Sequence, residues 1–372
     1  MISNKTNMTI QDIISEIELF APLAYQEDYD NCGVLTGDKN IQANGVLLTL
    51  DCIESVVDEA IENKCNLIIT HHPIIFSGLK KITGSNYIER TIIKAIKNNI
   101  AIYAAHTNID NVKNGVNFKI AEKLGLKNLR ILLPKINLLK KLVTYVPLSH
   151  HQKVLDALFA GGCGNIGNYD SCSFNIEGTG TFKGNEFSNP FLGEPDKLSK
   201  EKEIRIETIY ESGKEKAVLE ALLSSHPYEE VAFDTYCLTN KLNNAGSGLI
   251  GELENALDED AFLKLVKDSL KTQCLKYTQK RGKAVKKVAV CGGSGSFLLK
   301  NAINSQADAF ITSDFKYHQF FDADQKLLLI DAGHYETEQF TPEIFYDIVQ
   351  KKFPTFAIRL SKIKTNPVNY FL

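Results

Sequence analysis

The apolar residues of the first third of the chain fall into short, nearly uninterrupted runs, and between the runs they recur every three or four positions. Val46-Leu47-Leu48-Thr49-Leu50, Leu67-Ile68-Ile69-Thr70 and Ile100-Ala101-Ile102-Tyr103-Ala104 have the pattern of strands buried on both faces. Residues 55–63, 87–98 and 116–124 carry helical periodicity. Thr9-Ile10-Gln11-Asp12 opens a first helix with an N-cap threonine and an acid three residues on. Its expected buried stripe is Ile10, Ile13, Ile14, Ile17 and Leu19. Such alternation over residues 9–126 predicts βαβ units and a mostly parallel sheet covered by helices.

The same alternation resumes near the end of the chain. Strands are expected at 287–291, 308–312, 326–330 and 356–360, with helices at 297–304, 316–322 and 340–352. The predicted fold class is therefore α/β, with one sheet-based core assembled from both chain halves, residues 1–134 and 241–372. Residues 135–240 form an insert that carries an internal duplication. Lys141-Leu142-Val143-Thr144-Tyr145-Val146 precedes the helix with Val154-Leu155-Asp156-Ala157-Leu158-Phe159, and 203–210 precedes Val218-Leu219-Glu220-Ala221-Leu222-Leu223. Strand-like runs at 172–176 and 231–237 complete two βαβ units, which predict a ferredoxin-like α+β domain with an antiparallel sheet. Between the units, Gly178-Thr179-Gly180-Thr181-Phe182-Lys183 and Asn189-Pro190-Phe191-Leu192-Gly193 read as an irregular loop, without the Lys-Ser/Thr of a phosphate loop.

A length of 372 residues supplies two cores, and a net charge of −3 provides no basic field for nucleic acid. The eight cysteines are scattered with no C-x-x-C pair, and no signal peptide or long apolar span is visible, so a cytoplasmic protein with free thiols is expected. Cys32, Cys52, Cys65 and Cys291 lie in or beside apolar runs and read as core residues.

Three of the apolar runs end in metal-ligand residue types. The run at 67–70 leads into His71-His72-Pro73, that at 100–105 into His106-Thr107-Asn108-Ile109-Asp110, and that at 327–330 into Asp331-Ala332-Gly333-His334-Tyr335-Glu336-Thr337-Glu338. Parallel strands deliver functional groups at their carboxyl ends. Adjacent residues of an extended chain point opposite ways, so His71 and His72 suit two neighbouring ions better than one. A helix starting at His334 would place His334 and Glu338 on one face. His71, His72, Asp110, His334 and Glu338 are five ligands, too many for a closed four-coordinate site and suited to two divalent ions sharing a carboxylate. Without a thiolate in the set, Zn, Mn and Fe(II) all fit.

Other motifs admit two readings. Gly292-Gly293-Ser294-Gly295-Ser296, between a strand and a helix, suits either an anion cradle or a tight turn. Thr312-Ser313-Asp314-Phe315-Lys316-Tyr317-His318 offers Lys316 for phosphate and His318 for proton transfer, or else a capped surface helix. His150-His151 reads as a polar helix start and His226-Pro227-Tyr228-Glu229-Glu230 as a turn.

Tyr29-Asp30-Asn31-Cys32-Gly33, Ile69-Thr70-His71-His72-Pro73, His106-Thr107-Asn108-Ile109-Asp110, Ser247-Gly248-Leu249-Ile250-Gly251, the 312–318 segment and Gly333-His334-Tyr335-Glu336-Thr337-Glu338 together resemble the Nif3-like family, also labelled GTP cyclohydrolase I type 2. The likeness spans almost the whole chain. Tyr29 stands where the family often has tryptophan, and Cys32 where a small aliphatic residue is usual. The resemblance implies a dinuclear metal site on the five residues above, a toroidal homohexamer in the cytoplasm with sites facing an inner cavity, and an insert similar to the PII/CutA-like fold. It further implies a metal-dependent hydrolase in which activated water attacks C8 of the purine of GTP, opening the imidazole ring with formate release. His71, Asp110 and Glu338 would hold one ion and His72, His334 and Glu338 the other. A phosphoesterase or nucleotide pyrophosphatase acting on a phosphate-bearing small molecule, or a metal-binding regulatory assembly with little turnover, are the alternatives. Membrane and nucleic acid are not expected partners.

Overall fold

A computed structural model describes residues 8–371. The chain forms two compact units, one comprising the chain up to Pro134 together with Asn243 onward, the other Lys135–Leu242. In chain order the strands are β1 (Gly33–Thr36), β2 (Val46–Thr49), β3 (Leu67–Thr70), β4 (Ala101–Ala104), β5 (Lys127–Lys135), β6 (Leu139–Pro147), β7 (Ser173–Phe182), β8 (Ser199–Glu211), β9 (Phe233–Leu238), β10 (Leu242–Leu257), β11 (Lys276–Tyr277), β12 (Val285–Val290), β13 (Ala309–Thr312), β14 (Leu328–Asp331) and β15 (Ile358–Leu360).

The first unit holds two sheets where the apolar pattern predicted one. The five-stranded sheet runs β1-β4-β3-β2-β15 and the six-stranded sheet β11-β14-β13-β12-β10-β5. Each has a parallel centre, β2, β3 and β4 in one and β12, β13 and β14 in the other. Antiparallel strands flank them, β1 on β4, β10 on β12 and β11 on β14. β5 and β10 close the second sheet, and their sequences, carrying Pro134 in one and Asn243, Asn244, Gly246, Gly248 and Gly251 in the other, lack the apolar run of a buried strand. The glycines in β10 mark close backbone approach: a Cβ on Gly246 would sit 2.2 Å from the Leu133 carbonyl, and one on Gly251 2.9 Å from that of Lys127.

The two halves still fold together, because each lends a strand to the other's sheet. β15 pairs in parallel with β2, and β5 lies at the edge of the second sheet. All residues of β2, β3, β4, β13 and β14 are buried, which is why these strands read as continuous apolar runs.

Helices cover the sheets as the periodicity predicted. In Ile10–Phe20 the capping box forms, with the Asp12 amide donating to Thr9 Oγ1 and the Thr9 amide donating to Asp12 Oδ2 at 2.7 Å. Ile10, Ile13, Ile14 and Ile17 are buried, whereas Leu19 is 78% exposed. Two residues past Ile17 the helix has turned 200°, so position 19 leaves the stripe that Ala21 rejoins. The 316–322 segment expected as an α-helix is a 3-10 helix, Tyr317–Ala323, anchored by Phe315 and Phe320 at a buried cluster.

The second unit is a four-stranded antiparallel sheet in the order β7-β8-β6-β9, with helices His151–Ala160 and Glu215–Ser225. Two βαβ units interleaved this way make the sequence duplication a structural one. Leu142, Val146, Ile206 and Tyr210 meet Val154, Leu158, Val218 and Leu222 in its core. Gly178 to Phe182, expected as loop, is instead strand, paired with Glu203 to Ser199 of β8. Thr179, Thr181 and Phe182, all strand-forming residues, fit a pleated ribbon better than the two glycines oppose it.

Candidate metal centre

The carboxyl ends of the two parallel centres converge on one cluster. β3 leads directly to His71 and His72, β4 to His106 and the short helix Thr107–Asn111 that carries Asp110, and β14 to the helix His334–Glu338. Three sets of nitrogen and oxygen atoms lie within 4.8 Å of one another: His71, Asp110 and Glu338; His72, His334 and Glu338; and His71, His72 and His106. All five residues singled out from the strand ends are thus brought together.

Glu338 sits between the first two sets. Its Oε1 is 3.7 Å from His71 Nε2, which is also 3.7 Å from Asp110 Oδ1. Its Oε2 is 3.0 Å from His72 Nε2 and 3.1 Å from His334 Nε2, yet makes a hydrogen bond of normal geometry with neither. The i, i+4 spacing of His334 and Glu338 on one helical turn produces that approach, while Glu336 points away and accepts from Asn366.

Each imidazole is held by its other nitrogen. His71 Nδ1 donates to the Ala105 carbonyl (2.9 Å), and His72, His106 and His334 use Nδ1 on Asp51 (2.7 Å), Asp30 (2.8 Å) and Asp314 (2.7 Å). Nε2 of all four is thereby turned inward, the arrangement that fixes tautomer and ring orientation in metal sites. The aspartates are fixed in turn: Asp51 accepts from Thr365, and Asp30 from the Thr107 amide and hydroxyl. Asp314 holds a left-handed φ of +61°, a conformation aspartate tolerates better than most side chains.

The buried ionisable groups of the cluster perturb one another strongly. Burial, and then the neighbouring Glu338 carboxylate, push the Asp110 carboxyl up to about 8. Burial opposes ionisation of Glu338 as well, but His334 and His71 outweigh it and hold that carboxyl well below its usual range. His72 and His334 are also buried against their charged forms. Asp51 and Glu338 nevertheless raise His72 to about 10, and Glu338 and Asp314 raise His334 to about 11. His71 Nε2 and Asp110 Oδ1 are buried with no hydrogen-bond partner. Orphaned donors, paired carboxylates and oriented imidazoles fit a divalent cation. Burial keeps the nearby Cys32 and Cys52 thiols protonated, each at about 12, so the donor set is nitrogen and oxygen.

The glycine loop after β12 serves this cluster. Gly292, Gly293 and Gly295 spend their amides on Asn117, Thr337 and Thr312 side chains, which leaves them no anion to cradle. Gly293, at φ +57°, lies so close to Glu338 that a Cβ would be 2.2 Å from Oε1. The motif thus turns tightly, one of its two readings, and in addition lets the backbone approach Glu338 closely.

Lys316 and His318 are exposed on the Tyr317–Ala323 turn and its N-cap, and the segment reaches the cluster through Asp314. Asp30, Asp51 and Asp314 were missed as site residues, and His106 was assigned no role. Their one sequence signal is position, since Asp51 and Asp314 each follow a strand of a parallel centre by two residues. A cavity of about 530 Å³ opens beside His72 and His334, walled by Tyr335, Tyr370, Asn366 and Lys276.

An α/β protein of two facing parallel centres with a buried histidine and carboxylate cluster at their strand ends is the class these observations define. The chain belongs to the Duf34/NIF3 (NGG1p interacting factor 3) family, which matches residues 8–367. It is 40% identical to a Bacillus subtilis protein named GTP cyclohydrolase 1 type 2 homolog over 97% of this chain and 98% of that one. A protein of the same name from Halalkalibacterium halodurans is 42% identical over 87% and 88%. The crystal structure of a Bacillus cereus protein related to NIF3 superposes with a TM-score of 0.84 at 38% identity, covering 98% of this chain and all of that one. Among the described residues no helix is long and apolar enough to cross a membrane.

Proposed function

We propose that this protein is a dinuclear metal-dependent hydrolase. The observation that carries the reading is Glu338, whose two oxygens face two ligand sets, His71 with Asp110 on one side and His72 with His334 on the other. Two divalent ions held there, Zn, Mn or Fe(II), would supply Lewis acidity and lower the pKa of water at neutral pH. The chain's own part is to fix the imidazoles through Asp51, Asp314 and the Ala105 carbonyl, and to keep the ligand atoms out of bulk water. His106, oriented by Asp30, presents Nε2 to the same space as a hydrogen-bonding group or a third nitrogen donor.

The names of the relatives support GTP as substrate, with two waters consumed, both C8–N bonds broken and formate released. The cavity beside His72 and His334 supports a planar base, since the aromatic Tyr335 and Tyr370 line it and the Asp314 and Glu336 carboxylates can accept N–H groups. Lys316 and His318, exposed on a neighbouring turn, remain the proposed phosphate and proton-transfer groups. The inserted unit is read as PII/CutA-like on its interleaved strand order, and the assembly as a cytoplasmic toroidal homohexamer, for which exposed Phe297, Tyr317 and Phe321 offer contact surface.

The test is turnover of GTP by protein loaded separately with Zn, Mn and Fe(II), with formate and phosphate followed in one tube beside His71→Ala and Glu338→Gln. Formate that disappears in both variants supports the scheme. Phosphate alone moves the attack to phosphorus. Neither product, with two ions bound per chain, leaves a metal-binding regulatory assembly, and light scattering of the same sample tests the hexamer.

A further inference from the structure

The inserted unit contains a cavity of about 640 Å³ that the hydrolase reading does not use. It lies on the sheet face opposite the helices. Along β8, Ile204, Ile206 and Tyr210 pack toward the helical core, whereas Glu203 and Arg205 alternate onto the other face and line the cavity. The segment after β7, with Ser188, Pro190 and Phe191, forms a wall, and the Asn189 amide is tied to Glu229 at 2.8 Å.

A carboxylate is held inside. Glu203 is only 8% exposed; its Oε1 accepts from Tyr228 Oη at 2.8 Å, and Oε2 has no protein hydrogen-bond partner among the described residues. The opposing strand makes room for it with glycine, because a Cβ on Gly180 would lie 2.0 Å from Glu203 Oε2. Tyr228 is held by His226, whose Nδ1 accepts the Tyr228 amide (3.1 Å) while Nε2 donates to the Tyr145 carbonyl (3.0 Å). Two motifs with no role at the metal cluster, Gly178-Thr179-Gly180 and His226-Pro227-Tyr228, thus build one site.

Its chemistry is acidic and aromatic. Phe182 and Phe191 have ring centroids 6.4 Å and 6.3 Å from that of Tyr228. Four glutamates, Glu177, Glu203, Glu229 and Glu230, line the cavity against Lys183 and Arg205, and Arg205 spends Nη2 on Glu207 at 2.9 Å while its buried Nε has no hydrogen-bond partner among the described residues. A buried carboxylate with a free oxygen beside ring faces recognises an ammonium group, through a charge-assisted hydrogen bond and cation–π attraction.

We propose that this cavity binds a small organic amine in its protonated form, with the ammonium on Glu203 Oε2 and an apolar body among Phe182, Phe191 and Tyr228. The test uses the full chain and three probes of one shape, 2-phenylethylamine, 2-phenylethanol and phenylacetate, titrated calorimetrically at neutral pH. The amine is expected to bind about tenfold more tightly than the alcohol, with phenylacetate weakest. Glu203→Gln should erase the preference for the amine, and Gly180→Ala, which displaces the carboxylate, should weaken the amine by a similar factor; circular dichroism verifies that both variants fold. Equal affinity for the three probes, preference for phenylacetate, or an unchanged preference in Glu203→Gln overturns the proposal. So does failure of the amine to bind at millimolar concentration, the result expected if a segment of a second copy fills the cavity.

Discussion

Gly293→Ala separates the metal cluster from the fold that carries it. Gly293 sits at φ +57°, and a Cβ there would be 2.2 Å from Glu338 Oε1, 3.1 Å from Glu338 Cδ and 3.2 Å from His334 Cε1. Relief to van der Waals contact requires the carboxylate to move by ~1 Å. Ligand distances tolerate only ~0.2 Å, so a displaced Glu338 cannot serve both ligand sets, and affinity for divalent ions should fall on the order of a hundredfold or more. The fold loses much less. Left-handed backbone costs alanine ~1 kcal/mol, and the displaced atoms are the far end of a side chain.

Gly125→Ala supplies the control, because Gly125 has φ +70° and open space where its Cβ would go. Both variants should lose ~1 kcal/mol in chemical denaturation of chelator-treated protein. Only Gly293→Ala should lose metal, read by calorimetric titration with Mn and by elemental analysis after dialysis. Full metal retention in Gly293→Ala would refute the role given to Glu338, and metal loss in Gly125→Ala would show that backbone strain alone disturbs the cluster.

Asp51→Asn and Asp314→Asn replace the anionic acceptors that orient His72 and His334 by neutral amides, and each should weaken metal binding by ~10- to 100-fold in the same titration without changing the fold. Stripping the wild-type protein with a chelator should lower its melting temperature, and an ion restored at a hundred times its dissociation constant should return ~2.7 kcal/mol per site; His71→Ala should show a smaller response. Glu89 pins the segment that follows His72-Pro73, accepting from the Thr83 and Ser85 amides and hydroxyls and from Asn86. These bonds, led by that of the Thr83 amide, hold its carboxyl down at about 2. Its stabilisation is therefore complete above the ordinary range near 4.5 and lost as pH falls from there through about 2. Hydrogen-exchange protection over residues 76–86, taken relative to the intrinsic rate at each pH, should fall across that window in the wild type, whereas Glu89→Gln should have lost it already at neutral pH.

The parts of this molecule that could be read from the chain are those in which neighbours in sequence are neighbours in space. Strands β2, β3, β4, β13 and β14 announce themselves because burial on both faces leaves no polar residue inside the run, and the His334 and Glu338 pair because one helical turn separates them. The edge strand β5 and its neighbour β10 carry proline and glycines that interrupt any apolar run, so the division into two sheets stayed hidden and one sheet was expected.

The orienting aspartates were hidden for a different reason. Asp51 stands 21 positions before His72, and Asp314 20 before His334. Each looks like an ordinary turn residue until β2 is seen beside β3 and β13 beside β14. Once the registers are known, one rule covers both: the strand carrying the imidazole lies next to a parallel strand whose own end carries the acid. His106 and Asp30 follow it in antiparallel form, with β4 beside β1 and Asp30 just before β1. Strand adjacency is thus what turns three unremarkable aspartates into the frame of the cluster. In any chain of this fold the acids worth testing first stand at the ends of the strands that neighbour the histidine-bearing ones.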